Sequence, residues 1–348
     1  FFSEGVPREV ITIPVVVHVV WNKPEQNISD DQILSQIDVL NEDFNAQNVE
    51  IADIPTEFKD LVANVGIEFC LAKRDPQGNP ASGITRTFTE APAILGSKNI
   101  HYKSLGGADA WDPEHYLNIW VANGSSINGF GAFPGEKPPE EDGVEIKWDV
   151  FGREMLNPPY HLGRTATHEI GHYFNLFHPW SDDCSDGDLV ADTPPSNQSY
   201  LGECPTHPAP SCGSNDLFMN FMYWTDDACM GMFTEGQKMR MLATLSGPRA
   251  GLTTSKGCLA VGVGEPVTPA GFVVLPNPSR SGFEVKWLGQ TGTAPLTAVV
   301  YSARGERVFF DIKHSLSTFY IDTNGWVPGI YFLKIMDGKS IWVKKIIL

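Results

Sequence analysis

Three histidines and one glutamate carry the chemistry in this sequence. They read His168-Glu169-x-x-His172, and His178 follows six residues later. On a helix, positions i and i+4 share a face, so His168 and His172 can reach one ion. Neutral imidazoles bind zinc at roughly 2.0–2.1 Å, and a catalytic site keeps its fourth position for water. Zinc lowers the pKa of that water toward about 7, and Glu169, beside the first ligand, is placed to take its proton. A short H-E-x-x-H also occurs by chance in proteins that bind no zinc. The third histidine at this spacing argues against chance. His178 reaches the metal only if the helix ends and the chain turns sharply near Asn175. That turn needs a left-handed backbone, which Asn takes best after Gly. The competing reading is a surface helix that happens to hold three histidines.

These residues need a scaffold. Residues 11–21 are β-branched and bounded by turn formers, so they read as a buried strand. Ser29 with Gln32 forms a capping-box pattern. Ile33, Ile37, Leu40 and Phe44 follow at helical spacing over roughly four turns. Residues 65–72 and 116–122 read as further strands, and Asp75-Pro76-Gln77-Gly78-Asn79 as a turn. Residues 143–148 form a short candidate strand, and residues 165–177 the histidine helix. A long segment rich in Asp, Pro, Ser and Cys separates that helix from a final one starting at Thr234, with Gln237, Met241 and Leu245 at helical spacing. Residues 262–271 read as a linker. Beyond it lie seven short β-runs: 272–275, 282–287, 298–301, 307–310, 318–322, 329–335 and 340–347. They suggest a small all-β sandwich.

Composition narrows the function classes. The 348 residues are 42% hydrophobic and 19% charged, which describes a folded, loop-rich chain and not a disordered one. The length suffices for two cores, or for one large and one small domain. No apolar run approaches the roughly 20 residues of a membrane span. The formal net charge is -17. The C-terminal 85 residues carry about +3, so the rest carries about -20, which repels nucleic acid and excludes it as a partner. Such a charge suits cationic peptides, and equally suits the plain solubility of an exported protein. Six cysteines contain no C-x-x-C pair, so disulfides in an oxidising compartment explain them better than a zinc ribbon. The chain opens at Phe1 and not Met, which fits removal of a signal peptide and a pro-segment.

From about Val10 to about Leu245, these motifs resemble the metzincin metallopeptidases, and within them the pappalysin (cytophagalysin-like) family. The resemblance rests on the elongated zinc motif and on Asn220-Phe221-Met222, which is similar to the family's Met-turn. It rests also on Gly187-Asp188-x-Val190-x-Asp192-Thr193-Pro194, and on Thr225-Asp226-Asp227-Ala228-Cys229 with Met232-Phe233-Thr234 and Gly236-Gln237. It implies a secreted endopeptidase acting on proteins or peptides. The expected fold is an α/β catalytic domain over residues 1–261, with a twisted mixed sheet, two long helices and an irregular lower subdomain. Substrate would add to an edge strand at residues 129–134 or 143–148.

The resemblance further implies disulfides Cys184–Cys212 and Cys204–Cys229, leaving Cys70 and Cys258 to pair with each other. It implies calcium near Asp188, Asp192 and Thr193, whose oxygens suit it; turn-capping by the same residues is the alternative. Asp227 matches a position at the floor of the S1′ pocket, where a carboxylate selects Arg or Lys; Asp226 beside it is the rival. One departure stands out. The family usually has Tyr two residues after the Met-turn methionine, as an oxyanion donor. Here that place holds Trp224, with Tyr223 one residue earlier. The indole N–H is also a donor. A surface binding or adhesion protein that keeps the zinc fold but has lost efficient turnover is therefore the second hypothesis.

Residues 274–348 resemble the C-terminal sorting domain of type IX secretion cargo. The matching pieces are Leu275-Pro276-Asn277-Pro278 with Gly282, then Tyr301 and Gly305, Gly329-Ile330-Tyr331-Phe332-Leu333-Lys334, and the terminal Lys344-Lys345-Ile346-Ile347-Leu348. This implies an Ig-like sandwich over residues 272–348, the type IX machinery as a partner, and export to the cell surface or medium. A generic Ig-like accessory domain is the alternative.

Overall fold

A computed structural model describes residues 10–124, 127–153, 158–184, 187–260, 272–279, 281–287, 296–303, 307–313, 318–336 and 341–348. The chain divides into two compact units, Phe1–Val261 and Gly262–Leu348. The expected linker 262–271 lies outside the described residues, as do Gly305 and Ser340.

The first unit is built on strand β1 (Ile11–Trp21). Ile13, Val15, Val17 and Val19 face a core shared with Ile33, Ile37, Leu40 and Phe44 of helix α1 (Asp30–Phe44). Val20, on the opposite face, packs with Ile94, Leu95, Ile100 and Trp120. Burial on both faces explains why β1 reads as one unbroken apolar run. Helix α1 starts where its sequence directs, since Ser29 Oγ accepts the Gln32 N–H at 3.0 Å.

Five strands extend the sheet from β1. Strands β2 (Ile67–Leu71) and β3 (Ile84–Phe88) pair in parallel with successive halves of its one side. On the other side comes β4 (Leu117–Ala122), also parallel. The sheet ends in β5 (Gly129–Gly131) and β6 (Val144–Lys147), in the order β2-β1-β4-β6-β5. β6 is parallel to β4, and β5 is antiparallel to β6. The sheet is therefore mixed, with its one reversed strand at an edge. β3 was not expected as a strand; of the two segments offered as the edge, 129–134 supplies the edge strand β5, whereas 143–148 supplies β6, which lies inside the sheet between β4 and β5. β3 is a half-exposed Ile-Thr-Arg-Thr-Phe, so it offers no apolar run long enough to read.

Helix α2 (Arg164–Tyr173) carries the histidines, and α3 (Glu235–Ser246) and α4 (Ala250–Thr253) close the unit. α2 stops at Tyr173 and does not run to residue 177 as expected. Asn175 takes φ 73°, and Leu176 N–H returns to the Gly171 carbonyl at 2.9 Å, which ends the helix in a left-handed turn. Three disulfides join Cys70–Cys258, Cys184–Cys212 and Cys204–Cys229.

The second unit is all-β among its described residues. β7 (Phe272–Leu275), β8 (Gly282–Trp287) and β11 (Thr318–Asp322) form one antiparallel sheet. β9 (Leu296–Ser302), β10 (Arg307–Lys313), β12 (Ile330–Met336) and β13 (Ile341–Ile347) form another, in the order β10-β9-β12-β13. One core takes Val274, Phe283, Val285 and Ile321 from the first sheet and Val300, Leu333, Ile335 and Ile346 from the second.

Candidate metal centre and cleft

Helix α2 presents His168 and His172 one turn apart, and the left-handed turn at Asn175 brings His178 round to them. The three Nε2 atoms lie 3.1 Å from one another. His168 Nδ1 lies 2.8 Å from the Phe221 carbonyl, and His172 Nδ1 lies 2.7 Å from the Leu176 carbonyl. A carbonyl only accepts, so each Nδ1 carries the proton and each Nε2 of this pair is a bare lone pair. Burial holds all three imidazoles neutral: His178 is pushed down to about 3, and His168 and His172 are also lowered. Lone pairs at this spacing repel unless a cation lies between them. The distance is close to the roughly 3.3–3.4 Å separating two imidazole nitrogens on one tetrahedral zinc. The donor set therefore fits zinc. Among the described residues it is also the one cluster of three or more metal-ligating side chains.

The carbonyl that orients His168 is itself set by side chains far along the chain. Thr234 caps α3, and Gln237 returns its Oε1 to the Thr234 N–H at 2.9 Å. The Gln237 amide also clasps the Asn220 amide at 2.7 and 2.9 Å, while Asn220 Oδ1 accepts the Met222 N–H. A helix cap thus fixes the turn that carries Phe221 and Met222 beneath the histidines. Met222 is fully buried, and a Cβ on Gly171 would stand 2.4 Å from its sulfur. Gly171, which the sequence reading passed over, leaves room for that methionine.

Glu169 and His168 line a cleft of about 520 Å³ together with Asn128, Gly129, Lys147, Tyr160, Trp224 and Asp227, among others. Burial pushes the Glu169 carboxyl up to about 8, and the Gly131 amide acts in the opposite direction. A dication at the histidines would also pull it down. Edge strand β5 crosses directly over this residue. A Cβ on Gly131 would meet the Glu169 carbonyl oxygen at 2.1 Å. Lys147 N–H bonds to Asn128 O and Ala132 N–H to Gly143 O, on either side of the Phe130–Glu145 pair. Gly129 and Gly131 therefore turn their N–H and C=O groups away from β6, with the Gly131 N–H toward the Glu169 carboxyl.

Asp227 is buried at the N-terminus of α2. Its Oδ2 accepts the Leu162 N–H at 2.7 Å and the Arg164 N–H at 3.3 Å, while Oδ1 has no hydrogen-bond partner among the described residues. Burial raises its pKa to about 6, against the lowering effect of those two amides. Asp226 faces elsewhere. Its carboxylate caps the short 3-10 turn Asp227–Cys229 through the Ala228 N–H.

Trp224 is 38% exposed, and its ring stands edge-on to His178 at 5.1 Å. Tyr223 is fully buried. Its hydroxyl lies toward Ser196 without a well-formed hydrogen bond, and burial holds its pKa high. The three acidic-segment residues are engaged within the chain. Asp188 accepts from Val190 N–H and from Thr193 Oγ1, and Asp192 accepts from Thr234 Oγ1 and Gly236 N–H.

Residues 102–246 match the family profile described as pregnancy-associated plasma protein-A, and residues 273–348 match a secretion system C-terminal sorting domain. An extracellular metalloprotease of Arthroderma otae is 32% identical over 254 residues, covering 69% of this chain and 80% of that protein. An extracellular metalloprotease of Verticillium alfalfae is 48% identical over 247 residues, covering 68% and 77%. Among solved structures, mature mirolysin of Tannerella forsythia in complex with a cleaved peptide is 46% identical with a TM-score of 0.66. That match covers 71% of this chain and 97% of that one.

Proposed function

Because this chain belongs to the pregnancy-associated plasma protein-A (pappalysin) family and is a secreted zinc metalloendopeptidase, we propose that His168, His172 and His178 hold its zinc and that Glu169 is its general base. The observation that carries this reading is the convergence of three neutral Nε2 atoms 3.1 Å apart, beside a carboxyl that lines the same cleft. Zinc held there supplies a Lewis acid for the scissile carbonyl and acidifies a water toward neutrality.

The chain's own residues do the rest. Edge strand β5 takes the substrate as an added strand, which lays its backbone along the cleft. Glu169 accepts the proton of the attacking water at its carboxylate and returns it to the leaving amine. Trp224 offers its indole N–H to the oxygen on which charge develops. Tyr223 suits that role less, because its hydroxyl is sunk toward Ser196. Asp227, with one buried carboxylate oxygen unpaired, receives Arg or Lys on the primed side of the bond.

Calcium at Asp188, Asp192 and Thr193 has less support, since both carboxylates already accept hydrogen bonds from the chain. Turn-capping accounts for these residues. A melting temperature that rises with added calcium would reverse that preference. We assign catalysis to residues 1–261, a linker to 262–271, and sorting for type IX export to an Ig-like sandwich over 272–348. No observation favours a role in binding alone.

A peptide-library digest with wild type and Glu169→Ala tests the mechanism. Wild type should cleave, with Arg or Lys following the scissile bond. Glu169→Ala should lose at least about a thousandfold in rate while keeping its zinc. Cleavage by both proteins, or by neither, removes the base assignment.

A further inference from the structure

Two of the three histidines are oriented by backbone carbonyls at their Nδ1, as metal-binding imidazoles usually are. The third is held differently. Among the described residues, no hydrogen bond reaches His178 Nδ1. The imidazole instead lies flat on the indole of Trp180, with centroids 4.9 Å apart and planes inclined by 7°. Trp224 closes the box edge-on, 5.1 Å from His178 and 4.8 Å from Trp180.

We propose that Trp180 is the positioning residue of the third ligand: its indole face, backed by Trp224, fixes the plane of His178 in place of a hydrogen bond. The inference rests on the reading of His178 as a zinc ligand. The Trp180 Nε1 is buried with no hydrogen-bond partner among the described residues, so the indole serves the site through its face. Buried indoles ordinarily find a partner for that N–H. The energetics point the same way. An imidazole bound to a dication loses electron density, and an electron-rich indole face attracts it more strongly than it attracts the free ring. By reciprocity, a stack that strengthens on metal binding contributes to metal affinity. The arrangement also gives Trp224 a second task, which a tyrosine of smaller area would fill less completely.

The test measures zinc affinity of the full chain by competition with a chromophoric chelator. Trp180→Leu keeps bulk but loses the flat face, and should weaken zinc binding by about 10–100-fold. Trp180→Phe keeps a face and should stay within about threefold of wild type. His178→Ala is the reference. If it leaves zinc affinity unchanged, the ligand assignment itself is wrong. If it weakens zinc while Trp180→Leu does not, or while Leu and Phe lose affinity equally, only the positioning role of Trp180 is overturned. A second measurement needs no unstable variant. Removing zinc from wild type should change its tryptophan fluorescence, and that change should fall by at least half in Trp180→Phe. An undiminished change in Trp180→Phe overturns the stack.

Discussion

A methyl group on Gly129 would stand 2.7 Å from Oε1 of Glu169 and 2.6 Å from its Cγ. The edge strand and the Glu169 carboxyl therefore fit together only because that position has no side chain. Gly129→Ala should displace the carboxyl without touching the histidines. We expect kcat to fall about 10–100-fold, since small misplacements of a reacting group are costly, with KM within about threefold. Bound zinc should stay at the wild-type level by metal analysis. An unchanged kcat would mean that Glu169 has slack to move.

If Asp227 selects the basic residue as proposed, the specificity should depend on pH. Burial raises its folded pKa to about 6, above its ordinary value of 3.8. Above about pH 6 the carboxylate is ionised and should prefer Arg or Lys. Below it, the neutral acid should not. The ratio of kcat/KM for an Arg peptide over its Leu analogue should fall as pH drops from 8 to 5, and Asp227→Asn should make that ratio flat. The stability sign is opposite. Between about pH 4 and pH 6 the folded chain binds more protons here than the unfolded chain, so stability at this residue is lost as pH rises through about 6.

Asn175 should tolerate Gly and reject Val. Its φ of 73° is open to Gly and strained for a β-branched side chain. Chemical denaturation of the zinc-loaded chain should show Asn175→Gly near wild type and Asn175→Val lower by about 1–2 kcal/mol. Equal stability of the two would mean that the turn relaxes.

Arg164 anchors the helix that carries the histidines. It is 1% exposed and pairs with Asp43 at 3.3 Å and Glu50 at 2.8 Å. Arg164→Met leaves two carboxylates facing an apolar side chain. Removing one partner of a buried ion pair typically costs about 3–5 kcal/mol, and urea denaturation should register a loss of that order. Adding Asp43→Asn should recover part of it. No recovery would mean that Glu50 carries the pairing.

The histidine triad proposed to hold zinc was legible in the sequence, because helical spacing and a left-handed Asn are local properties of residues 168–178. The sequence by itself determined α1 and α3 for the same reason, since Ser29 and Thr234 cap their own helices with a partner three residues on. It could not place Glu169 under β5, because Gly-Phe-Gly becomes a strand only by pairing with β6. It left Asp226 and Asp227 equivalent. Packing separated them, sending one carboxylate to cap a surface turn and the other into the cleft at the start of α2. It also left Trp180 unremarked. Two residues beyond His178, an indole meets the imidazole only when the chain folds its face onto that ring. Spacing along a helix is written locally, whereas contacts across turns and between strands depend on the whole core closing.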